Sequence, residues 1–330
     1  MDSHDNHTMP ALFKFEPILK TVLWGGEKIA ALKGVQPNGK RHVGESWEVS
    51  GLQGKESIVA GGPDKGLNLR ELIDKYRDRL VGKRVYDTHG NEFPLLVKFI
   101  DAKQDLSVQV HPGDDLARRR HGCNGKNEFW YIIQADKGAS LLAGLHTPLR
   151  RDDYNRLVEL GTITTAMRRH DTAPGDAFFL PAGCLHSIGA GNLLCEVQQS
   201  SDITYRVHDY NRRDANGEPR QLHTTLAADA IDFNLTGDLR CPNTPLSDPH
   251  ETLLSEPCFT VDVYHLDNDT PTPLHMPHDA FLIVTCLHGN ATLVTPQGNT
   301  RLNKGQTTLV AASVTSLQAH GHATLLTATT

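Results

Sequence analysis

The sequence predicts a mainly β protein, a barrel or sandwich of short strands with helices attached, followed by a smaller second β domain. Three observations carry this reading. Apolar and polar residues alternate with period two in short windows; Gly, Pro and Asn punctuate those windows; and only three stretches keep helical spacing instead. At 330 residues the chain exceeds the usual single domain and can bury a sizeable core.

The strands come in order. "PLLVKFIDA" (94–102) is a buried run, "DLSVQVHP" (105–112) alternates, "EFWYIIQA" (128–135) is aromatic and β-branched, and "LLCEVQQSSDITYRVHDY" (193–210) alternates over a long span. The helical stretches are 68–87, where Leu69, Leu72, Ile73, Tyr76 and Leu80 keep one face, 151–160, which opens on an aspartate cap, and the alanine-rich 222–233. Four prolines and few large apolar residues mark 234–257 as a linker. Beyond it "FTVDVYHLD", "AFLIVTCLHGNATLV" and "GQTTLVAASVTSLQA" are again short strands. The expected division is therefore a first domain over 1–234, a linker over 235–257 and a second β domain over 258–330, with no repeat at solenoid period.

Composition excludes several classes. There are 33 basic and 39 acidic residues, a formal net charge of −6, and no Lys/Arg run, so a nucleic-acid partner is not expected. No apolar window is long enough to span a membrane, and "MDSHDNHTMPALF" lacks the basic and apolar regions of a signal peptide. A cytosolic protein is expected. Six cysteines without a Cys-x-x-Cys pair read as free thiols rather than a zinc ribbon or a disulfide framework.

Strand parity places the chemistry, because alternate residues share a face. In 105–112, Leu106, Val108 and Val110 point one way and Ser107, Gln109 and His111 the other. Glu128 shares a face with Trp130. In the long run, Glu196, Gln198, Asp202, Thr204, Arg206 and His208 share one parity. Polar groups turned into a barrel are costly unless paired or bound to something. Taken singly, each has a bland reading: His186 as a histidine after the Pro181–Gly183 turn, Gln109 and His111 on the wet face of an edge strand, Glu128 as a surface carboxylate. Their conjunction carries the functional reading.

That conjunction resembles the cupins. Gly175, Pro181, Gly183 and His186 match the second cupin motif, with Asn192 two residues late; Gln109-Val-His111 stands where the first motif has a His-x-His pair, and Glu128 is displaced by the insertion "GDDLARRRHGCNGKN". "LSVQVHPGDD", "KNEFWY", "PAGCLHSIGAG" and "SDITYRVHDYNR", with "TVLWGG" and "GESWEVSG" upstream, are similar to the type I mannose-6-phosphate isomerases, or phosphomannose isomerases, of the short bacterial branch, over roughly residues 13–235. The resemblance implies a cupin-type jelly-roll barrel followed by a cupin-like domain without a metal site. It implies one Zn²⁺ per chain on Gln109, His111, Glu128 and His186, and Arg206 as the active-site arginine.

Two imidazoles and a carboxylate leave positions open on a metal, as catalysis requires. The implied reaction interconverts D-mannose 6-phosphate and D-fructose 6-phosphate through an enediol, whose charge needs electrophilic stabilisation. Zinc is expected to polarise, Arg206 to meet the developing oxyanion and Asp202 to hold Arg206. Lys98, Ser107 and Lys126 are candidates for the phosphate, Trp24 for a stacking wall and Glu45 for a further substrate contact. For the proton-transfer base, Lys126 with a depressed pKa, Glu45, Glu48, His89 and a metal-bound water stay open. A small-molecule sugar phosphate is the expected partner, and a monomer or weak homo-oligomer the expected state. The alternatives are an Fe(II) cupin oxygenase, since two histidines and a carboxylate also suit that metal, and a non-catalytic sugar-binding cupin.

Overall fold

The computed structural model describes residues 9–34, 42–213, 217–242 and 249–330, which gather into two compact units. Neither unit is a continuous segment. One takes 19–34, 42–47, 95–213 and 217–242; the other takes 9–18, 48–94 and 249–330.

The first unit is a sandwich of two sheets. The six-stranded sheet has the order Ala177–Leu180, Glu128–Ala135, Asn192–Gln199, Leu95–Asp101, Val43–Ser50, Ile18–Gly26. The five-stranded sheet has the order Met167–Asp171, Ser140–Leu145, His186–Ile188, Val108–Val110, Tyr205–His208. Ile100, Trp130, Ile132, Phe178 and Leu194 of the six-stranded sheet and Leu141, Ala143 and Ile188 of the five-stranded sheet pack in one apolar cluster, each buried. Each such side chain contributes on the order of 1.5–3 kcal/mol by leaving water. The opposite face of the five-stranded sheet is covered in turn. Val108, Val110, Leu145, Met167 and Tyr205 meet Tyr154 of helix Arg151–Glu159 and Ala227 and Ala228 of helix Thr224–Ala230.

Parity therefore holds within the Val108–Val110 strand, whose valines face the helices while Gln109 faces the interior. It fails at Leu106, which packs with the inter-sheet cluster although it shares the valines' parity. Leu106 precedes the hydrogen-bonded strand, and alternation is imposed only inside a ladder. The long run at 193–210 is likewise two strands. Asn192–Gln199 and Tyr205–His208 belong to different sheets, and the residues between them make the crossing.

The second unit is built on a seven-stranded antiparallel sheet in the order Leu12–Phe13, Thr307–Val310, Leu282–Thr295, Gln318–Thr329, Phe259–Pro273, His250–Glu256, with Gly298–Asn303 hairpinned onto Leu282–Thr295. The helical stretch at 68–87 belongs here, as Leu69–Tyr76, Asp78–Val81 and Lys83–His89. Asn68 opens the first of these with a capping box to Glu71, which satisfies two otherwise orphaned donors. The third helix follows Gly82, which has no side chain to cap it, and Asp279 supplies the carboxylate, accepting from Lys83 N at 2.6 Å and Arg84 N at 2.9 Å. A side chain at position 82 would run into the Asp279 carbonyl, so glycine is required there.

This arrangement differs from a division into consecutive domains at 234 and 258. Residues 48–94 join the C-terminal strands, and within the expected linker His250–Glu256 is an edge strand paired with Phe259–Pro273, while 243–248 lie outside the described residues. Only Leu253 and Leu254 of that strand are buried, so its composition reads as a linker. All six cysteines are free thiols, as expected. Among the described residues no helix is long and apolar enough to cross a membrane.

Candidate active site

Four strands and one turn converge on a buried polar cluster. Gln109 is the middle residue of Val108–Val110, and the register sets it opposite His186 on one neighbouring strand and Arg206 on the other. Glu128 opens its strand on the facing sheet. The turn before His186 is tied down on several sides: Gly183 N donates to the His111 carbonyl, Cys184 N to the Pro181 carbonyl, and Ala182 N to Asn127 Oδ1 at 2.8 Å. Gly183 has φ of 89°, open to glycine and strained for other residues. The insertion that delays Glu128 is the helix Asp114–His121.

His111, Glu128 and His186 are each about 1% exposed, and one ligand atom from each lies within 4.8 Å of the others. The Nε2 atoms of His111 and His186 stand 3.4 Å from Glu128 Oε1 and Oε2 respectively. Each ring is fixed from behind. His111 Nδ1 meets the Ile203 carbonyl at 2.7 Å and His186 Nδ1 the Cys184 carbonyl at 2.9 Å, so Nδ1 carries the proton and Nε2 keeps its lone pair toward Glu128. The Gln109 amide completes the group 3.3 Å from His186 Nε2. Glu128 Oε2 is buried without a hydrogen-bond partner, which is costly in a closed protein and natural in a ligand.

The electrostatics point the same way. Burial lowers the pKa of His111 and takes that of His186 down to about 4, leaving both rings neutral near pH 7. Burial alone would raise Glu128, but Lys126 and the two imidazoles hold it well below the usual carboxylate range. Lys126 forms an ion pair with Glu128 and stands 3.6 Å from Glu196. Burial would lower its pKa; the two carboxylates outweigh burial and raise it. Lys126 thus keeps its proton, which counts against it among the bases left open by the sequence. Glu196 is pushed up to about 7, by burial first and then by the charge of Glu128, against Lys98 and Lys126.

A cavity of about 260 Å³ opens onto this cluster. Of the residues singled out in the sequence, Trp24, Glu45, Lys98, Ser107, Gln109, Lys126, Glu128, Asp202 and Arg206 line it. Glu48 and His89 are not among its lining residues. Lys98 sits directly across the ladder from Glu196, 3.4 Å away, and also donates to Gln198. Glu45 accepts from Trp47 Nε1 at 2.6 Å. Asp202 is an exposed residue of the wall, and the charge of Asp209 also bears on Arg206. Arg206 donates from Nη1 to the Gln221 carbonyl, and its Nε is buried without a partner. Sequence reasoning missed Lys20, whose ammonium lies 3.2 Å from the Trp47 ring centroid, Trp47 itself, and Arg220. Local alternation carries a signal for two of them, since Lys20 shares the parity of Trp24 in one strand and Trp47 that of Glu45 in another; Arg220 reaches the cavity from a loop and gives no such signal.

The model of the type I phosphomannose isomerase catalytic domain matches residues 12–138, and that of the mannose-6-phosphate isomerase cupin domain matches 250–330. Mannose-6-phosphate isomerase ManA of Bacillus subtilis is 33% identical over 319 residues, covering 96% of this chain and 97% of that protein. The chain belongs to the type I phosphomannose isomerase family. A second relative of the family, the probable mannose-6-phosphate isomerase GmuF of the same organism, is 40% identical over 217 residues, 66% of this chain and 67% of its own length. Among solved phosphomannose isomerases, the crystal structure of the Bacillus subtilis mannose 6-phosphate isomerase superposes with a TM-score of 0.86 at 30% identity, covering 97% of this chain and 99% of that one. Membership agrees with the mainly β, jelly-roll architecture and with the buried His–Glu–His cluster.

Proposed function

We propose that the chain interconverts D-mannose 6-phosphate and D-fructose 6-phosphate, with one Zn²⁺ held by Gln109, His111, Glu128 and His186. The observation that carries this reading is the pair of neutral imidazoles whose Nε2 lone pairs and an unpartnered Glu128 oxygen converge beside a cavity lined by protonated side chains. Two nitrogens, a carboxylate and an amide suit zinc and leave room in its shell for substrate. Bound there, the metal would supply Lewis acidity toward a substrate oxygen.

The chain's own residues supply the rest. The reaction moves a proton from C2 of the aldose to C1 of the ketose while charge develops on the adjacent oxygens. Arg206, across the ladder from Gln109, is placed to stabilise that charge with a permanent guanidinium. Lys126, held protonated, donates to a sugar oxygen. Trp24, 5% exposed in the wall, offers a flat apolar surface to the sugar, with Glu45 and Ser107 as hydroxyl partners. Burial of the cluster excludes water from the reactive intermediate.

The cavity lining belongs to one compact unit, which is compatible with a monomer or weak homo-oligomer as the working state. Six free thiols suit a reducing cytoplasm. The test is a coupled assay for fructose 6-phosphate formed from mannose 6-phosphate before chelation, after it, and after Zn²⁺ is restored. Metal-loaded protein that does not turn over mannose 6-phosphate would overturn the proposal.

A further inference from the structure

Both lysines first considered for the phosphate are engaged. Lys98 faces Glu196 and Gln198, and Lys126 faces Glu128 and Glu196, so neither presents an unbalanced charge to a dianion. The unbalanced charge lies elsewhere on the same cavity, where Arg206 and Arg220 both reach the lining. The two guanidinium groups are close enough for Arg220 to depress the Arg206 pKa, after the larger effect of burial.

Arg220 is built into place. Its Nε donates to Asp209 Oδ2 at 2.6 Å and its Nη2 to Asp209 Oδ1, a two-pronged fork on a carboxylate that is 5% exposed. Asp209 also accepts from Arg212, whose other contacts are the backbone carbonyls of Asp209 and Asp105. Three guanidinium charges thus surround one carboxylate. Asp209 is fully used in fixing Arg212 and Arg220, and Arg220 Nη1 makes no hydrogen bond among the described residues. The turn that allows this is strained, with Tyr210 and Asn211 both at positive φ, 53° and 56°. Left-handed backbone at consecutive non-glycine residues persists only where surrounding contacts hold it, and it gathers at ligand sites.

We infer that Arg220, anchored with Arg212 on Asp209, is the group that binds the phosphate of the substrate, with Arg206 beside it on the same cavity. The register supports this order: His186, Gln109 and Arg206 stand in one row across three strands, and Arg220 lines the same cavity, near enough for its charge to act on Arg206. A hexose 6-phosphate laid along it places its reacting end at the cluster and its phosphate at Arg220. A planar guanidinium suits phosphate oxygens, and two guanidinium groups sharing the single carboxylate of Asp209, with a third close by, suit a dianion. The inference rests on the isomerase reading and adds to it the residue that makes phosphate a requirement.

The test compares wild type, Arg220→Gln, Arg220→Lys and Asp209→Asn. KM for mannose 6-phosphate and the inhibition constant of inorganic phosphate should rise together in Arg220→Gln, by about 10- to 100-fold, the scale of one charge-assisted hydrogen-bonding group. The preference for mannose 6-phosphate over mannose, as a ratio of kcat/KM, should collapse by the same factor. Arg220→Lys should recover part of the loss, and Asp209→Asn, acting only through position, should lose less than Arg220→Gln. An unchanged inhibition constant for phosphate in folded Arg220→Gln, or an unchanged preference, would overturn the inference while leaving the isomerase reading intact. If wild type fails to isomerise mannose 6-phosphate, that reading falls; calorimetric titration with inorganic phosphate then decides the subsite alone, by whether Arg220→Gln weakens binding. Should Arg220→Gln not fold, the same comparison is made with Arg220→Met, where wild-type phosphate affinity refutes the assignment.

Discussion

A substitution at Arg206 is the means to separate metal binding from chemistry. It stays protonated and cannot ligate zinc, yet it lies one ladder position from Gln109. Arg206→Met should keep its metal and its fold while kcat falls by about 10²- to 10³-fold, as when one preorganised oxyanion donor is lost. Wild-type turnover in a zinc-loaded variant would refute the role. Glu196 offers a second test, in the apo protein. Its folded pKa of about 7 lies above the ordinary 4.5, so the stability it contributes is full below the ordinary value and lost as pH rises toward 7. His186, at about 4 against an ordinary 6.5, contributes in the opposite sense: its stability is present above 6.5 and lost as pH falls toward 4. The two oppose each other between about 4.5 and 6.5. Glu196→Gln removes one, so thermal melts of the chelated variant should gain Tm with rising pH across that window more steeply than wild type. Parallel profiles would show that Glu196 titrates near its ordinary value. The cluster of Gln109, His111, Glu128 and His186 was legible because strand parity and a Pro-x-Gly turn mark its members. Asp209 was not, because an acidic residue beside "YNRR" looks like any exposed turn until the fold returns Arg220 to it.

At the scale of elements, the turn at Pro181–Gly183 decides where His186 points. Its amides are consumed by the His111 carbonyl and the Asn127 side chain, and its φ of 89° excludes an unstrained Cβ. Gly183→Ala would also bring a methyl 3.1 Å from the Ala230 carbonyl. A cost of about 1–3 kcal/mol is expected, with weaker metal retention because the ring is displaced. A melt and a zinc titration check both, and undiminished metal affinity would show that the turn does not position His186. Strand existence was readable from period-two alternation. Strand membership was not: 193–210 looks continuous, but its middle residues leave one sheet for the other, a choice made by inter-sheet packing rather than by local pattern. The same limit hid His250–Glu256, an edge strand with two buried side chains.

The whole molecule is divided by contact rather than by sequence. Residues 48–94 pack with the C-terminal strands: Phe93 meets Phe281 with ring centroids 4.5 Å apart, Asp279 caps the Lys83–His89 helix, and Ala312 N donates to the Leu80 carbonyl. Truncation after residue 235 should therefore fail to give a stable protein, since it strands three helices and their apolar faces without a sheet. A cooperative, soluble product of that truncation with wild-type helix content by circular dichroism would contradict the discontinuous division. Such a division is invisible to a reading that moves along the chain looking for boundaries, because the prolines at 234–257 are as compatible with a crossing as with a linker.

The pairing of Leu12 with Val310 and of Phe13 with Leu309 has a consequence in time. During synthesis the strand Leu12–Phe13 has no partner until Thr307–Val310 emerges, whereas the sandwich that carries the His–Glu–His cluster has all its strands by residue 208. The unit with that cluster can thus fold on the ribosome while the helices at 69–89 and the strand Leu12–Phe13 wait with apolar surface uncovered. That interval is when a holdase is needed, and ribosome-bound chains stalled near residue 260 should expose it to limited proteolysis within 9–18 and 48–94 while 95–213 is already protected.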